Sequence, residues 1–177
     1  DFSRVSLVLG DLSVNNLGLS EQMYLHLSRE IDVVYHNGAK VDFLADFDSL
    51  FAPNVLGTLD LLKLCANYKS KQLNYISTKG VFTNLNDSIA ENTSLLDQLQ
   101  YKDQGYKSTK WVADHLVQKA RDFGIETNVF RLARMTGSSK NGIVRSDDFF
   151  HRFVIGCILL KSFPRELLDF QIDLTPV

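Results

Sequence analysis

Four short β-rich runs recur between longer helical patterns: residues 5–9 (VSLVL), 31–36 (IDVVYH), 73–77 (LNYIS) and 127–131 (TNVFR). Each reads as apolar on both faces, the pattern of a parallel strand covered by helices on two sides. Ser20 is placed to cap a helix over 20–30, with Glu21 near its positive end. Residues 54–68 (NVLGTLDLLKLCANY) are apolar almost all round, as in a helix buried against a sheet. The longest helical pattern, 105–123, stops at Gly124. Residues 84–101 and 137–146 read as loops, and a helix over about 147–160 follows with acidic residues at its positive end. This alternation specifies an α/β fold built on a doubly wound parallel sheet.

The chain has 177 residues, 45% of them hydrophobic, enough for one cored domain. With 19 basic and 21 acidic residues its net charge is -2, so no electrostatic footprint for nucleic acid or an anionic membrane is present. The most apolar stretch, 153–160, falls far short of the ~20 residues of a membrane-spanning helix. Cys65 and Cys157 sit inside apolar runs and read as small buried hydrophobes, which suits a reducing, cytoplasmic setting. His26, His36, His115 and His151 are scattered without ligand spacing, and no G-x-S-x-G elbow occurs, so neither a metal nor a serine hydrolase is expected.

Chemistry gathers in four places. Tyr106 and Lys110 are four residues apart on the 105–123 helix and share a face. An ammonium beside a phenol is expected to lower the phenol's pKa, and the lysine has N–H donors to offer a sugar hydroxyl. Ser77 and Thr78 end the third run, where the crevice of an α/β sheet takes its ligands, and Thr78 can donate to a carbonyl oxygen on which charge develops. Asn37, Gly38 and Ala39 end the second run, the glycine permitting close approach of backbone to a ligand. Asp11 follows the first run, where it either accepts from an adenine amino group or closes a turn.

The wording of HNGAKVDF, NVLGTLDLLKLC, YISTKGVF, GYKSTKWVADHLV and FRLARMTGSSKNG resembles the extended short-chain dehydrogenases/reductases, and within them the thioester reductase domains that end nonribosomal peptide and polyketide synthetases, with carboxylic acid reductases as relatives. The resemblance implies a Rossmann-like fold with Thr78, Tyr106 and Lys110 as catalytic triad. It implies that Asp11 and Leu12 lie on the adenine side of the cofactor, and Asn37, Gly38 and Ala39 under the adenosine. It makes Asn54, near the active site, and Ser77, beside Thr78, contacts of the cofactor together with Tyr106 and Lys110, and it places Arg131, Leu132, Ala133 and Arg134 by the nicotinamide. It implies NADPH as cofactor and, as partner, a carrier protein whose phosphopantetheine arm holds an acyl or peptidyl thioester. Hydride delivery then gives a hemithioacetal that collapses to an aldehyde, with an alcohol after a second reduction.

No G-x-G-x-x-G or G-x-x-G-x-x-G occurs in the chain. By the resemblance, residues 5–9 match the third strand of the fold, so that two strands and the glycine-rich phosphate loop stand outside this sequence. Residues 1–177 are then expected to be a partial cofactor-binding domain, with 147–177 opening the C-terminal substrate region. A chain that begins at Asp1 without a leader reads as an excised fragment, expected to bind NADPH weakly and to be inactive alone. Residues 5–9 are expected to be displaced, swapped or abnormally paired. The same residues admit a fatty acyl-CoA reductase, a sugar-nucleotide epimerase or dehydratase, and a non-catalytic scaffold.

Overall fold

A computed structural model describes residues 3–82, 89–96, 104–169 and 171–177. They divide into two compact units, Asp1–Arg131 and Leu132–Val177. The first unit holds helix α1 (Glu21–Glu30), strand β1 (Val33–His36), helices α2 (Phe47–Phe51) and α3 (Gly57–Ala66), strand β2 (Gln72–Thr78) and helix α4 (Gly105–Lys119), and leads into strand β3 (Thr127–Leu132). The strands form one sheet in the order β1-β2-β3, with β1 parallel to β2 and His36 level with Tyr75. This is the α/β, Rossmann-like architecture expected of the alternating pattern.

Central strand β2 is covered on both faces, with Leu73, Asn74 and Tyr75 all buried. β1 is not: Val34 and His36 are buried, whereas Tyr35 is 74% exposed. The core joins Val34, Leu73 and Tyr75 of the sheet to Leu62 and Cys65 of α3 and Ala113 and Val117 of α4. Burying each large aliphatic side chain contributes roughly 1.5–3 kcal/mol. Burial raises the Cys65 thiol to about 11, which keeps it inert. Cys157, expected to be buried as well, is only half-buried.

Residues 5–9 form no strand, and their side chains face solvent, Leu7 at 88%. An extended run that meets no ladder partner keeps its backbone groups hydrated, so two-sided apolarity does not make a strand by itself. The helix expected over 54–68 begins earlier and is interrupted. Asp46 caps α2 through Ser49 N (2.9 Å). A π-turn over Ala52–Leu56 then passes into α3, with the Gly57 amide donating to Ala52 O. Pro53 lies in this turn and has no N–H for the ordinary helical bond. α3 ends at Ala66, and Tyr68 takes a left-handed φ of 61°.

The expected end signals hold elsewhere. Ser20 Oγ accepts from Met23 N at 3.3 Å to start α1. Gly124, at φ 81°, closes the 3-10 turn that follows α4. The loop expected over 84–101 lies largely outside the described residues; 89–96 are irregular.

In the second unit, β4 (Arg134–Met135) pairs in parallel with β5 (Leu174–Thr175). Between them α5 (Phe149–Leu160) starts where Asp148 Oδ1 accepts from His151 N at 2.8 Å. None of its residues is buried, and Ile158, Leu159 and Leu160 are each more than two-thirds exposed. Among the described residues no helix is long and apolar enough to cross a membrane.

Candidate active site

The first turn of α4 is held against the approach to α2 by Gly105. A Cβ there would stand 2.3 Å from Ala45 O and 2.5 Å from the Asp46 carbonyl carbon, so only glycine lets the helix come so near. Tyr106 follows, its ring edge-on to Phe43 at 5.5 Å. One turn later Lys110 turns inward and is 3% exposed. Its Nζ donates to Ile76 O at 2.8 Å and lies 4.1 Å from the centre of the Tyr75 ring. The lysine thus touches β2 two residues before Thr78. At the end of that strand Thr78 Oγ1 accepts from Gly80 N at 3.1 Å, which leaves the hydroxyl proton for another acceptor.

Burial sets the ionisation of this pair. It pushes Lys110 down to about 8, against the pull of Asp114. Tyr106 is raised above the usual phenol value by its burial, opposite to the lowering expected from a neighbouring ammonium. The expectation weighed charge and left out desolvation, which favours the neutral phenol. Tyr106 is therefore a neutral phenol at neutral pH.

Two buried networks brace the site. Asn54, in the π-turn, accepts from Lys40 N (2.8 Å) and donates to Lys40 O (3.0 Å) and Thr109 Oγ1 (3.1 Å). Thr109 in turn donates to Tyr106 O at 2.9 Å. Asn54 therefore clamps the loop after β1 to the first turn of α4. His36 Nε2 lies 2.9 Å from Thr58 Oγ1, and that hydroxyl donates to Asn54 O at 2.7 Å. The histidine must then carry its proton on Nε2, and burial, followed by the nearby Lys110 charge, pushes it down to about 4. Asp114 accepts from Ser77 Oγ at 2.6 Å and from Arg131 Nε and Nη2 at 2.9 Å each. Ser77 and Arg131, both expected at the cofactor, direct these bonds inward to Asp114.

Asp11 and Leu12 meet Gly38 and Ala39 around one cavity of about 710 Å³, which Gly10, Ser13, Lys40 and Pro53 also line. Asn37 precedes this lining, at the end of β1. The turn that carries Asp11 is fixed: Asp11 N donates to Leu17 O at 2.7 Å, and Asp11 Oδ1 accepts from Ser13 N at 2.8 Å. Asn16 and Leu17 take left-handed φ values of 54° and 61°, with Asn16 N donating to buried Asp60 at 3.0 Å. Bonds from Ser13 hold the Asp11 carboxyl below the usual range. Leu132, Ala133 and Arg134 lie in the second unit, where Arg134 N donates to Asp173 O.

The structure so places Thr78 at the end of β2 and Tyr106 and Lys110 in the first turns of α4, tied to that strand by the bond from Lys110 to Ile76, and sets Asp11, Leu12, Gly38 and Ala39 around the cavity. Reading the sequence passed over Lys40, Thr58, Thr109 and Asp114. Asp114 had a signal, since it continues the spacing of four from Tyr106 through Lys110 on one helix face. Thr109 and Lys40 had none, because their parts are played by a single hydroxyl and by main-chain atoms.

A profile of an NAD-binding family described as Male sterility protein matches residues 1–177. The chain is 35% identical over 179 residues to a linear gramicidin synthase polypeptide of Brevibacillus parabrevis, covering 98% of this chain and 3% of that protein. It is 34% identical over 174 residues to L-2-aminoadipate reductase of Schizosaccharomyces pombe, covering 91% of this chain and 12% of that one. Its fold is similar to the crystal structure of the terminal R domain from the myxalamid PKS-NRPS biosynthetic pathway, with a TM-score of 0.87 and 39% identity over 96% of this chain and 42% of that domain's chain. The chain thus spans less than half the length of each.

Proposed function

Because the chain belongs to the NAD-binding family described as Male sterility protein, we propose that it is the core of an NADPH-dependent thioester reductase working within a larger synthetase. Its substrate on this reading is an acyl or peptidyl group held as a thioester on the phosphopantetheine arm of a carrier protein, released as an aldehyde or, after a second reduction, an alcohol. Similarity to a gramicidin synthase, to a reductase and to a terminal R domain supports the substrate class.

The observation that carries the reading is the buried Lys110, anchored to β2 at Ile76 O, one helical turn from a Tyr106 whose phenol is kept protonated. The cavity suits the adenosine end of a dinucleotide: glycines at positions 10 and 38 bare its walls, and Asp11 offers a carboxylate to an exocyclic amine. Asn37 and Ala39 complete that side. NADPH, when bound, supplies the hydride. Thr78 holds the substrate carbonyl oxygen with a hydrogen bond from its hydroxyl, and Tyr106 transfers its proton to that oxygen as negative charge develops there. Lys110 directs its remaining N–H donors to the ribose hydroxyls. Ser77, Asn54 and Arg131 act through these groups.

The test is NADPH titration calorimetry and carrier-thioester turnover on the full-length protein, before and after Tyr106→Phe. Turnover is expected to fall by roughly 10²–10⁴-fold, the usual worth of a general acid, with cofactor affinity within a few-fold of the parent. A Phe variant that still reduces the thioester at the parent rate refutes the assignment, and turnover of a nucleotide sugar in place of the thioester refutes the substrate class.

A further inference from the structure

Asp114 has no part in the chemistry assigned above, yet it is fully buried and accepts four hydrogen bonds. Arg131 takes both carboxylate oxygens at 2.9 Å, Ser77 Oγ donates to Oδ2 at 2.6 Å, and Gln118 Nε2 donates to Oδ1 at 2.7 Å. Burying a carboxylate is unfavourable unless every lone pair is met, and two other inward positions on α4 are filled by Ala113 and Val117, which ask for nothing. A charge kept in such a place calls for a reason beyond cohesion.

The geometry points to Asp114 as the positioning residue of this site: bonded at once to Ser77 on β2 and Arg131 on β3, it sets α4 against the sheet so that Thr78, Tyr106 and Lys110 hold one arrangement. Ser77 is the residue before Thr78, and Ile76, before that, accepts from Lys110. Three contacts thus lock the helix to the sheet: Asp114 to Ser77 and Lys110 to Ile76 on β2, and Asp114 to Arg131 on β3. A slip of α4 along β2 breaks the first two together. Asp114 also favours the ammonium form of Lys110. Among the described residues, those that act on that lysine are Asp114 on α4, Tyr75 on β2 and the neutral His36 on β1, and Asp114 is the one carboxylate of the three.

The consequence for turnover rests on the reductase reading, while the direct readout does not. In protein carrying lysine labelled with 13C at Cε, the Lys110 resonance is the one lost in Lys110→Arg, and its shift is followed against pH. Asp114→Asn is expected to move its midpoint below that of the parent by half a pH unit or more. Ser77→Ala, which keeps the carboxylate and the Arg131 pair, is expected to leave the midpoint in place and to lower kcat about tenfold with KM for NADPH within twofold. A folded Asp114→Asn protein with the parent's midpoint overturns the proposal. If that variant does not fold, an unchanged kcat in Ser77→Ala overturns it. If the parent reduces no thioester, the reductase reading fails and the Lys110 midpoint in Asp114→Asn still judges Asp114.

Discussion

Lys110 sits where two demands conflict, since Asp114 favours its charge while its burial resists that charge. With the ammonium lost above about 8 and Tyr106 protonated throughout, kcat/KM for reduction is expected to be level between pH 6 and 7 and to fall tenfold per unit beyond about 8. Lys110→Arg, which stays charged, should abolish the fall; initial rates across pH 6–10 decide, and a parent profile still rising at pH 9 contradicts the assignment. His36 acts on stability instead. Its pKa is depressed to about 4 from an ordinary 6.5, so the unfolded chain binds the extra proton first as pH falls. The contribution is complete above 6.5 and is lost between 6.5 and 4, amounting to roughly 3 kcal/mol at most. Urea unfolding at pH 7 and pH 4.5 should show this loss in the parent and a much smaller one in His36→Asn. Residue by residue, the placement of Tyr106 and Lys110 on one helix and of Thr78 at a strand end was legible, because helical spacing and a strand end are written in the order of the letters. The direction of the Tyr106 shift was not, because it depends on how deeply the ring is buried.

Elements show the same division. Ser20 and Gly124 announced their helix ends through local chemistry, a hydroxyl able to accept from an amide and a residue at ease in left-handed φ. The helix containing Asn54 was misjudged at both ends, because its apolar run starts after the cap at Asp46 and nothing in the letters announces a π-turn. Yet that turn delivers Asn54 to both Lys40 and Thr109. Asn54→Ala removes three hydrogen bonds and is expected to cost about 2–4 kcal/mol, given buried partners left unpaired. Denaturant midpoints check it, and a loss under 0.5 kcal/mol denies the clamp. At the neighbouring contact Gly105→Ala meets main-chain atoms of Ala45 and Asp46, which cannot swing aside, and about 2 kcal/mol or more of strain is expected by the same measurement.

For the whole molecule, burial on both sides of β2 fixes the first unit's centre, while residues 5–9 stay outside the sheet. Backbone amides of β2 are therefore expected to exchange with solvent slowest and those of 5–9 within the dead time of a hydrogen-exchange experiment; protection at 5–9 to the level of β2 would show a partner for that run. Sequence periodicity located β2 and the helices around it but read residues 5–9 as one more strand; only the resemblance marked that run as one to be displaced, since pairing is a property of two segments. The same is true of Leu12, which lies between two glycines far apart in the chain. A Cβ on Gly38 would come within 2.7 Å of Leu12 Cδ1, and one on Gly57 within 2.6 Å of Leu12 O. The first clash is with the tip of a side chain, the second with the main chain. The two positions should therefore part company in a suppressor screen: damage from Gly38→Ala is repaired by shortening Leu12 to alanine, whereas Gly57→Ala finds no second-site cure at Leu12. Lineages that enlarge position 38 are then free to do so once position 12 has shrunk, and position 57 has no such route through position 12.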